Sequence, residues 1–148
     1  MVGSSWKRRA LIRVTTVAGT VAGYAGDGES ALSAKFYRPQ TVVVDSSGNM
    51  YIADTFNNRI RKITKSTGII STVAGDGTLN VKIGDEDPAT SAGLYYPYGD
   101  AVDAIGNVYI ADTYNGRVRK IWIFCVSVLR EAYSTQANFP GTGLDNAI

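Results

Sequence analysis

Short apolar runs alternate with polar turns through the middle of the chain. The connecting segments are rich in Gly, Asn and Ser, which favour turns. Strand-like runs separated by turn signals every roughly eight to twelve residues are typical of all-β proteins. The pattern therefore predicts a four-stranded antiparallel meander. Its predicted strands are Gln40–Asp45, Met50–Thr55, Arg59–Thr64 and Ile69–Ala74.

Two sequence motifs each occur twice in the chain. Tyr51–Ile63 (YIADTFNNRIRKI) returns as Tyr109–Ile121 (YIADTYNGRVRKI), 58 positions later. An earlier motif, Val14–Gly19 (VTTVAG), returns as Ile70–Gly75 (ISTVAG) at an offset of 56. Repeats of this length indicate stacked supersecondary units. A repeated four-stranded antiparallel sheet is the signature of a β-propeller blade.

These motifs resemble NHL repeats over roughly Val14–Ile121, most of the chain. The resemblance implies a β-propeller, usually six-bladed, that most often binds proteins or RNA. The expected fold is all-β, with about two four-stranded antiparallel blades. Propellers close with about four to eight blades, so this chain is not expected to close a ring on its own.

The repeat boundaries predict the layout of the chain. A basic segment covers residues 1–13, and the blades extend over 14–129. Within the blades we predict an orphan outer strand at 14–19, blade one at 39–75 and blade two at 97–129. One helical turn is expected in each of Ser30–Lys35 and Ala89–Gly93, which share an AxxA pattern. The tail, 130–148, matches nothing earlier and is expected to be loosely ordered.

The fourth strand of blade two has two candidates. It is either a diverged strand at Cys125–Leu129 or the orphan strand Val14–Gly19 of a neighbouring copy. Three interpretations of a two-bladed chain follow. It is a fragment of a longer propeller, a third of a head-to-tail ring of three copies, or a degenerate product that folds poorly.

Composition narrows the chemistry. Among 148 residues there is no histidine and one cysteine, Cys125. Ser-His-Asp triads, Cys-His pairs and histidine metal sites are thereby excluded within the chain. The net charge of +2 is too small to indicate nucleic acid by itself. The apolar run Ile121–Leu129 is too short to span a membrane as a helix. The N-terminus is not expected to be a signal peptide, and the sequence assigns no compartment.

The repeated aspartates favour structural roles. Asp45 and Asp103 precede Gly-Asn turns, where a carboxylate accepts hydrogen bonds from turn amides. Asp54 and Asp112 recur identically, whereas active-site residues are usually singular. We therefore expect them to anchor the turn between the second and third strands. No catalytic residue, metal site or cofactor is expected.

Two sets of residues are candidates for binding. The first is an aromatic and basic set just before each innermost strand, because Tyr and Arg are favoured binding anchors. The second is a basic rim, whose charged head groups are expected to reach the blade edge. The first set is Tyr37, Arg38, Tyr95, Tyr96 and Tyr98, and the basic rim is Arg59, Arg61, Arg117 and Arg119.

The predicted function is a non-catalytic binding or scaffold module with a protein or peptide partner. An RNA-binding propeller segment is the alternative, because a basic edge also suits phosphates. A fragment of a lyase or hydrolase propeller is a further alternative. The metal ligands of the lyases related to NHL repeats include histidine, which this chain lacks.

Overall fold

The strands form two antiparallel sheets in the computed structural model, which describes residues 12–79 and 84–122. The sheet of blade one has the order β1-β2-β3-β4, and that of blade two has the order β5-β6-β7. The all-β meander predicted from the sequence is confirmed. The strands of blade one are β1 Val42–Val44, β2 Met50–Asp54, β3 Arg59–Ile63 and β4 Ile70–Ala74; those of blade two are β5 Pro97–Val102, β6 Val108–Asp112 and β7 Arg117–Ile121.

Several predicted segments lie outside the described residues. They include most of the basic segment, the candidate strand Cys125–Leu129 and the tail 130–148. The segment Val14–Gly19, predicted as an orphan outer strand, is described; it forms no strand and pairs with no strand in the described part of the chain. The described strands build two blades and do not close a ring.

The turn between the first two strands of each blade is held by an aspartate. Asp45 Oδ1 accepts hydrogen bonds from the backbone N–H groups of Ser47 and Asn49, both at 2.9 Å. Its Oδ2 accepts one from the Asn49 amide at 2.8 Å. Asp103 makes the same three bonds in blade two. The predicted structural role of both aspartates is confirmed.

The two blades pack face to face around one apolar core. Tyr51, Ala53 and Ile60 of blade one meet Leu94 and the strand β6 of blade two. These side chains alternate along their strands, which places them on one face of the sheet. The opposite face of blade one is covered by the segment that precedes it, through Ala31 and Ala34. Blade one therefore has one face covered by the preceding segment and the other covered by blade two.

One-turn 3-10 helices occur where the AxxA patterns lie, at Ala31–Ser33 and Ala89–Ser91. Their small residues let the chain pass close to the sheet, and Ala31, Ala34 and Ala92 are buried. No helix in the described ranges is long and apolar enough to cross a membrane.

Candidate functional site

A buried aspartate anchors the chain segment that enters each blade. Asp54 Oδ1 accepts a hydrogen bond from the Tyr37 backbone N–H at 2.8 Å, and its Oδ2 accepts one from the Asn57 amide at 2.9 Å. Asp112 does the same with the Tyr95 N–H, at 2.8 Å, and with Asn115, at 2.9 Å. The predicted anchoring role of both aspartates is confirmed. Because of these bonds, Tyr37 and Tyr95 occupy equivalent places on the two blades.

Six aromatic rings form a continuous row across both blades, here named the aromatic ladder. Tyr37 meets Phe56 edge-on at a centroid distance of 5.3 Å, and Phe56 meets Tyr96 at 4.8 Å. Tyr96 contacts Tyr95 at 5.0 Å and Tyr114 at 5.1 Å. These distances and tilts are the geometry that aromatic pairs prefer. The ladder consists of Tyr37, Phe56, Tyr95, Tyr96, Tyr98 and Tyr114.

Part of the ladder is open to solvent. Tyr114 is 60% exposed, Tyr37 is 43% exposed and Tyr98 is 36% exposed, whereas Phe56 and Tyr96 are half-buried between them. Arg38 is exposed, and its guanidinium carbon lies 4.8 Å from the Phe56 ring centroid. The surface therefore offers tyrosine rings and hydroxyls beside one cation, on a base of packed rings.

Two ladder positions carry an unusual backbone. Arg38 has φ 51° and Tyr96 has φ 45°, and the two residues are equivalent in the repeat. Residues other than glycine rarely adopt this left-handed backbone conformation, and such residues concentrate at functional sites. The Tyr96 N–H donates to Asn58 Oδ1 at 2.9 Å, which ties this strained point of blade two to blade one. The conformation directs both side chains onto the ladder.

The structure differs from the sequence expectation for the basic rim. The Arg61 side chain is fully buried, with Nη2 at 2.7 Å from Asp27 Oδ1 and Nη1 at 3.4 Å from Asp54 Oδ2. A guanidinium pairs with two carboxylates here because an unpaired buried charge would be costly. Arg119 repeats the arrangement in blade two, with Nη2 at 2.7 Å from Asp85 Oδ1.

The other two arginines of the basic rim lie nearer the surface. Arg59 Cζ stacks 3.9 Å above the Tyr24 ring centroid, and its Nη2 donates to the Asp76 carbonyl at 2.6 Å. Arg117 is exposed and donates to the Asn115 carbonyl at 3.1 Å. Binding of phosphate by either residue stays a prediction.

Asp27 holds an unusually stabilised charge. Burial alone would raise its pKa, but hydrogen bonds from Thr72 and Tyr24 and the Arg61 charge together hold the pKa of this carboxyl below its ordinary value. The Tyr24 hydroxyl donates to Asp27 Oδ2 at 2.9 Å. The glycine-rich connection that contains Asp27 therefore supplies a partner of a buried arginine.

The pKa of Asp100 is shifted in the opposite direction from that of Asp27. It lies on β5 and accepts a hydrogen bond from the Thr41 hydroxyl of blade one. Its Oδ2 is buried and accepts no hydrogen bond from any residue the structure describes. Burial raises the pKa of this carboxyl, although the Thr41 bond opposes the effect.

Sequence reasoning missed several residues of these networks, among them Phe56, Tyr114, Asp27 and Tyr24. The first two fall in the predicted turns between the second and third strands, and the other two fall in the segment before blade one, for which no contact was predicted. A signal existed for three of them, because Phe56 matches Tyr114 and Asp27 matches Asp85 at the 58-residue offset. Among the described residues no cluster of three or more His, Cys, Asp or Glu could hold a metal ion.

Comparison with known proteins finds similarity to an NHL domain. The family model of the Teneurin NHL domain matches residues 20–82. Human Teneurin-4 is 37% identical over 103 residues, which cover 62% of this chain and 4% of that protein. The chloroplastic protein SUPPRESSOR OF QUENCHING 1 of Arabidopsis thaliana is 32% identical over 83 residues, covering 56% of this chain and 8% of that protein. The chain thus spans less than a tenth of the length of these relatives.

Solved structures share the blade architecture. A structural genomics protein of unknown function from Bacteroides thetaiotaomicron superposes with a TM-score of 0.59 at 31% identity, over 70% of this chain and 26% of that one. A protein from the same organism, described as a putative phosphatase, gives a TM-score of 0.55 at 24% identity, over 71% of this chain and 25% of that one. The second likeness shows the fold alone. Repeat, blade geometry and comparisons together identify the described part of this chain as NHL-type β-propeller blades.

Proposed function

We propose that this chain is a non-catalytic binding module whose aromatic ladder takes up a protein or peptide segment. The observation that carries the proposal is the ladder itself. Its six rings span both blades, and three of its tyrosines are exposed at one surface. Tyr and Arg are enriched among the residues that dominate binding energy in protein interfaces. A tyrosine row with Arg38 at one end has that composition.

The ladder is held in place before any partner arrives. Asp54 and Asp112 fix the backbone at Tyr37 and Tyr95, and each ring is packed against another ring. A side chain that is already ordered loses little further freedom on binding, and this lowers the entropic cost of association. Rigid tyrosines beside an arginine therefore favour binding of a short extended segment.

The charge arrangement favours a peptide over RNA. Nucleic-acid affinity depends largely on cations that are free to neutralise phosphates. The Nη2 atoms of Arg61 and Arg119 each lie 2.7 Å from a carboxylate oxygen, so these two guanidinium groups are already paired within the chain. Stacked aromatic rings also accommodate bases, so RNA belongs in the test as a competitor.

The test selects ligands from a displayed library of random peptides with the whole chain as bait. The affinity of an enriched synthetic peptide is then measured by fluorescence polarisation. The double variant Tyr98→Ala/Tyr114→Ala should weaken binding by about tenfold or more, since interface hot spots exceed about 1 kcal/mol each. Both side chains are exposed, so their truncation should leave the fold intact, as checked by circular dichroism.

Leu32→Ala supplies the matched control, because Leu32 is an exposed apolar side chain, 57% accessible, that is not part of the ladder. Its variant should bind the peptide as the parent chain does. Unchanged affinity in the tyrosine double variant would remove the ladder from the function. Displacement of the peptide by random-sequence RNA, with a steep dependence on salt, would assign the surface to RNA instead.

A further inference from the structure

The two blades use the same sheet face in different ways. We name it the forward face; in blade one it carries Tyr51, Ala53 and Ile60, which are at most 2% exposed because blade two covers them. The equivalent residues of blade two are Tyr109, Ala111 and Val118. Val118 is 79% exposed and Ala111 is exposed. Blade two therefore presents a forward face of the same pattern that no described residue covers.

The segment before blade one is placed like the fourth strand of an earlier blade. The Gly75 N–H, just after β4, donates to the Ala89 carbonyl at 3.0 Å, and the Asp76 N–H donates to the Ala92 carbonyl at 3.2 Å. The Gly19 and Thr20 N–H groups bond the equivalent carbonyls of Ala31 and Ala34, both at 2.9 Å. The position of Val14–Ala18 relative to blade one is therefore the same as the position of β4 relative to blade two.

That segment has no blade behind it in the described chain. Val14 is fully exposed and Val17 is 58% exposed. Behind the segment, an apolar groove of about 290 Å³ runs along blade one between Val17, Phe36 and Met50. In blade two the residues equivalent to Phe36 and Met50, Leu94 and Val108, are buried against blade one.

We propose that the forward face of blade two binds the Val14–Ala18 segment and the groove behind it on a second copy of this chain. The two free surfaces match because the contact between blades one and two already joins the same pair of faces. In this contact a second copy places its own blade one against blade two and its Val14–Ala18 segment beside β7. The contact uses no residue of the aromatic ladder, so it stands independently of the function proposed above.

The internal interface also gives the register between copies. Within blade one, β3 pairs with β4 through Lys62–Ser71 and Ile63–Ile70. Applying the offsets of the repeat, 58 for β3 and 56 for β4, pairs β7 of one copy with the start of the next. Lys120 should then face Thr15, and Ile121 should face Val14. The β7 strand is then paired with an outer strand in the way that β3 is paired with β4.

A head-to-tail contact of this kind closes into a ring when the rotation allows. Propellers have about four to eight blades, so a ring would contain two to four copies. With a chain mass of 15.8 kDa, three copies would weigh about 47 kDa. The mass is measured by light scattering on a size-exclusion column over a range of concentrations.

Val118→Asp is the first variant. Because Val118 is exposed in the single chain, the substitution should leave the blade folded but return the mass to 15.8 kDa. Ile105→Asp is the control, since Ile105 is 84% exposed but lies in the β5–β6 turn. It should leave the assembly unchanged. A parent chain of 15.8 kDa at every concentration overturns the proposal, as does an assembly that Val118→Asp leaves intact.

The register is tested by crosslinking two different chains, both carrying Cys125→Ser to remove the only other thiol. One carries Thr15→Cys and the other Lys120→Cys. Facing residues of antiparallel strands lie about 4.5–5.5 Å apart at Cα, which suits a disulfide. Mild oxidation of the mixture should give a linked pair. Thr15→Cys mixed with Ile105→Cys should give none; equal yields in the two mixtures would overturn the register.

Discussion

Asp27 Oδ1 lies 2.7 Å from Arg61 Nη2, joining the loop before blade one to the middle of its third strand, 34 residues later. The Arg61 side chain is fully buried, whereas the Asp27 side chain is 36% exposed. Asp54, also fully buried, lies on the other side of the guanidinium, with 3.4 Å between Arg61 Nη1 and Asp54 Oδ2. The loop, β2 and β3 are therefore held together by one charged centre.

Replacement of Arg61 should be more costly than the same change in blade two. Arg61→Met leaves Asp54 as a buried carboxylate without its cation, and breaking a buried pair costs about 3–5 kcal/mol. Arg119 also lies near a buried carboxylate, with 3.6 Å between its Nη1 and Asp112 Oδ2, but its side chain is 11% exposed and its nearer partner Asp85 is 67% exposed. Solvent screens the charges of Arg119 and Asp85, so Arg119→Met should cost less than Arg61→Met.

Urea unfolding of both variants at pH 7 measures the difference. Arg119→Met is the matched control, because it removes the same side chain from the same position of the repeat. Equal losses of unfolding free energy would contradict the burial argument. If the Arg61→Met variant is unfolded and the Arg119→Met variant is folded, the result agrees with the burial argument.

The strands and the two turn aspartates could be predicted from the sequence because they depend on local pattern. Alternation along Met50–Asp54 and the turn chemistry of Asp45 involve neighbours within a few residues. The anchoring role of Asp54 followed from its exact repetition as Asp112. These features occur in both repeats, and each repeat supports the interpretation of the other.

The ion pair and the ladder required the path of the chain in three dimensions. Alternation placed Arg61 on one face of β3 but gave no indication that Asp27 returns to cover it. Its head group was therefore expected at a rim. Phe56 sits in a polar turn, and its role emerges only when blade two brings Tyr96 within 4.8 Å of its ring. Packing between distant segments decides both cases.

Low pH should reduce the stability of the fold, partly through protonation of Asp27. Because its folded-state pKa lies below the value in the unfolded chain, the charge stabilises the fold fully above about pH 4, the ordinary Asp pKa. That contribution is lost as the pH falls through the folded-state pKa. Asp27→Asn should reduce stability at pH 7 by about 1 kcal/mol or less, given the partial exposure of the group.

Thermal unfolding from pH 7 down to about pH 2 provides the measurement, over the range in which aspartates titrate. The difference in melting temperature between the parent and Asp27→Asn should narrow below about pH 4. Asp45 and Asp103, whose pKa values are also lowered by hydrogen bonds despite opposing desolvation, remain in both proteins. A gap that stays constant with pH would show that Asp27 acts by shape rather than by charge.

Asp100 should respond in the opposite direction, because its pKa is raised by burial. At neutral pH its charge opposes folding, since Oδ2 accepts no hydrogen bond from the residues described. Blade one has the apolar Val42 at the equivalent position. Asp100→Asn keeps the shape and an acceptor for the Thr41 hydroxyl while removing the charge. It should stabilise the chain at pH 7, by less than about 1 kcal/mol because the group is partly exposed.

Asp103→Asn is the matched control for Asp100→Asn, on the turn after the same strand. Asp103 accepts bonds from Ile105, Asn107 and Tyr109, so its neutralisation should lower the melting temperature at pH 7. As the pH falls through the raised pKa of Asp100, the parent carboxyl becomes protonated and the advantage of Asp100→Asn should disappear. If both variants lower the melting temperature at pH 7, the Asp100 charge is satisfied in solution and burial does not set its pKa.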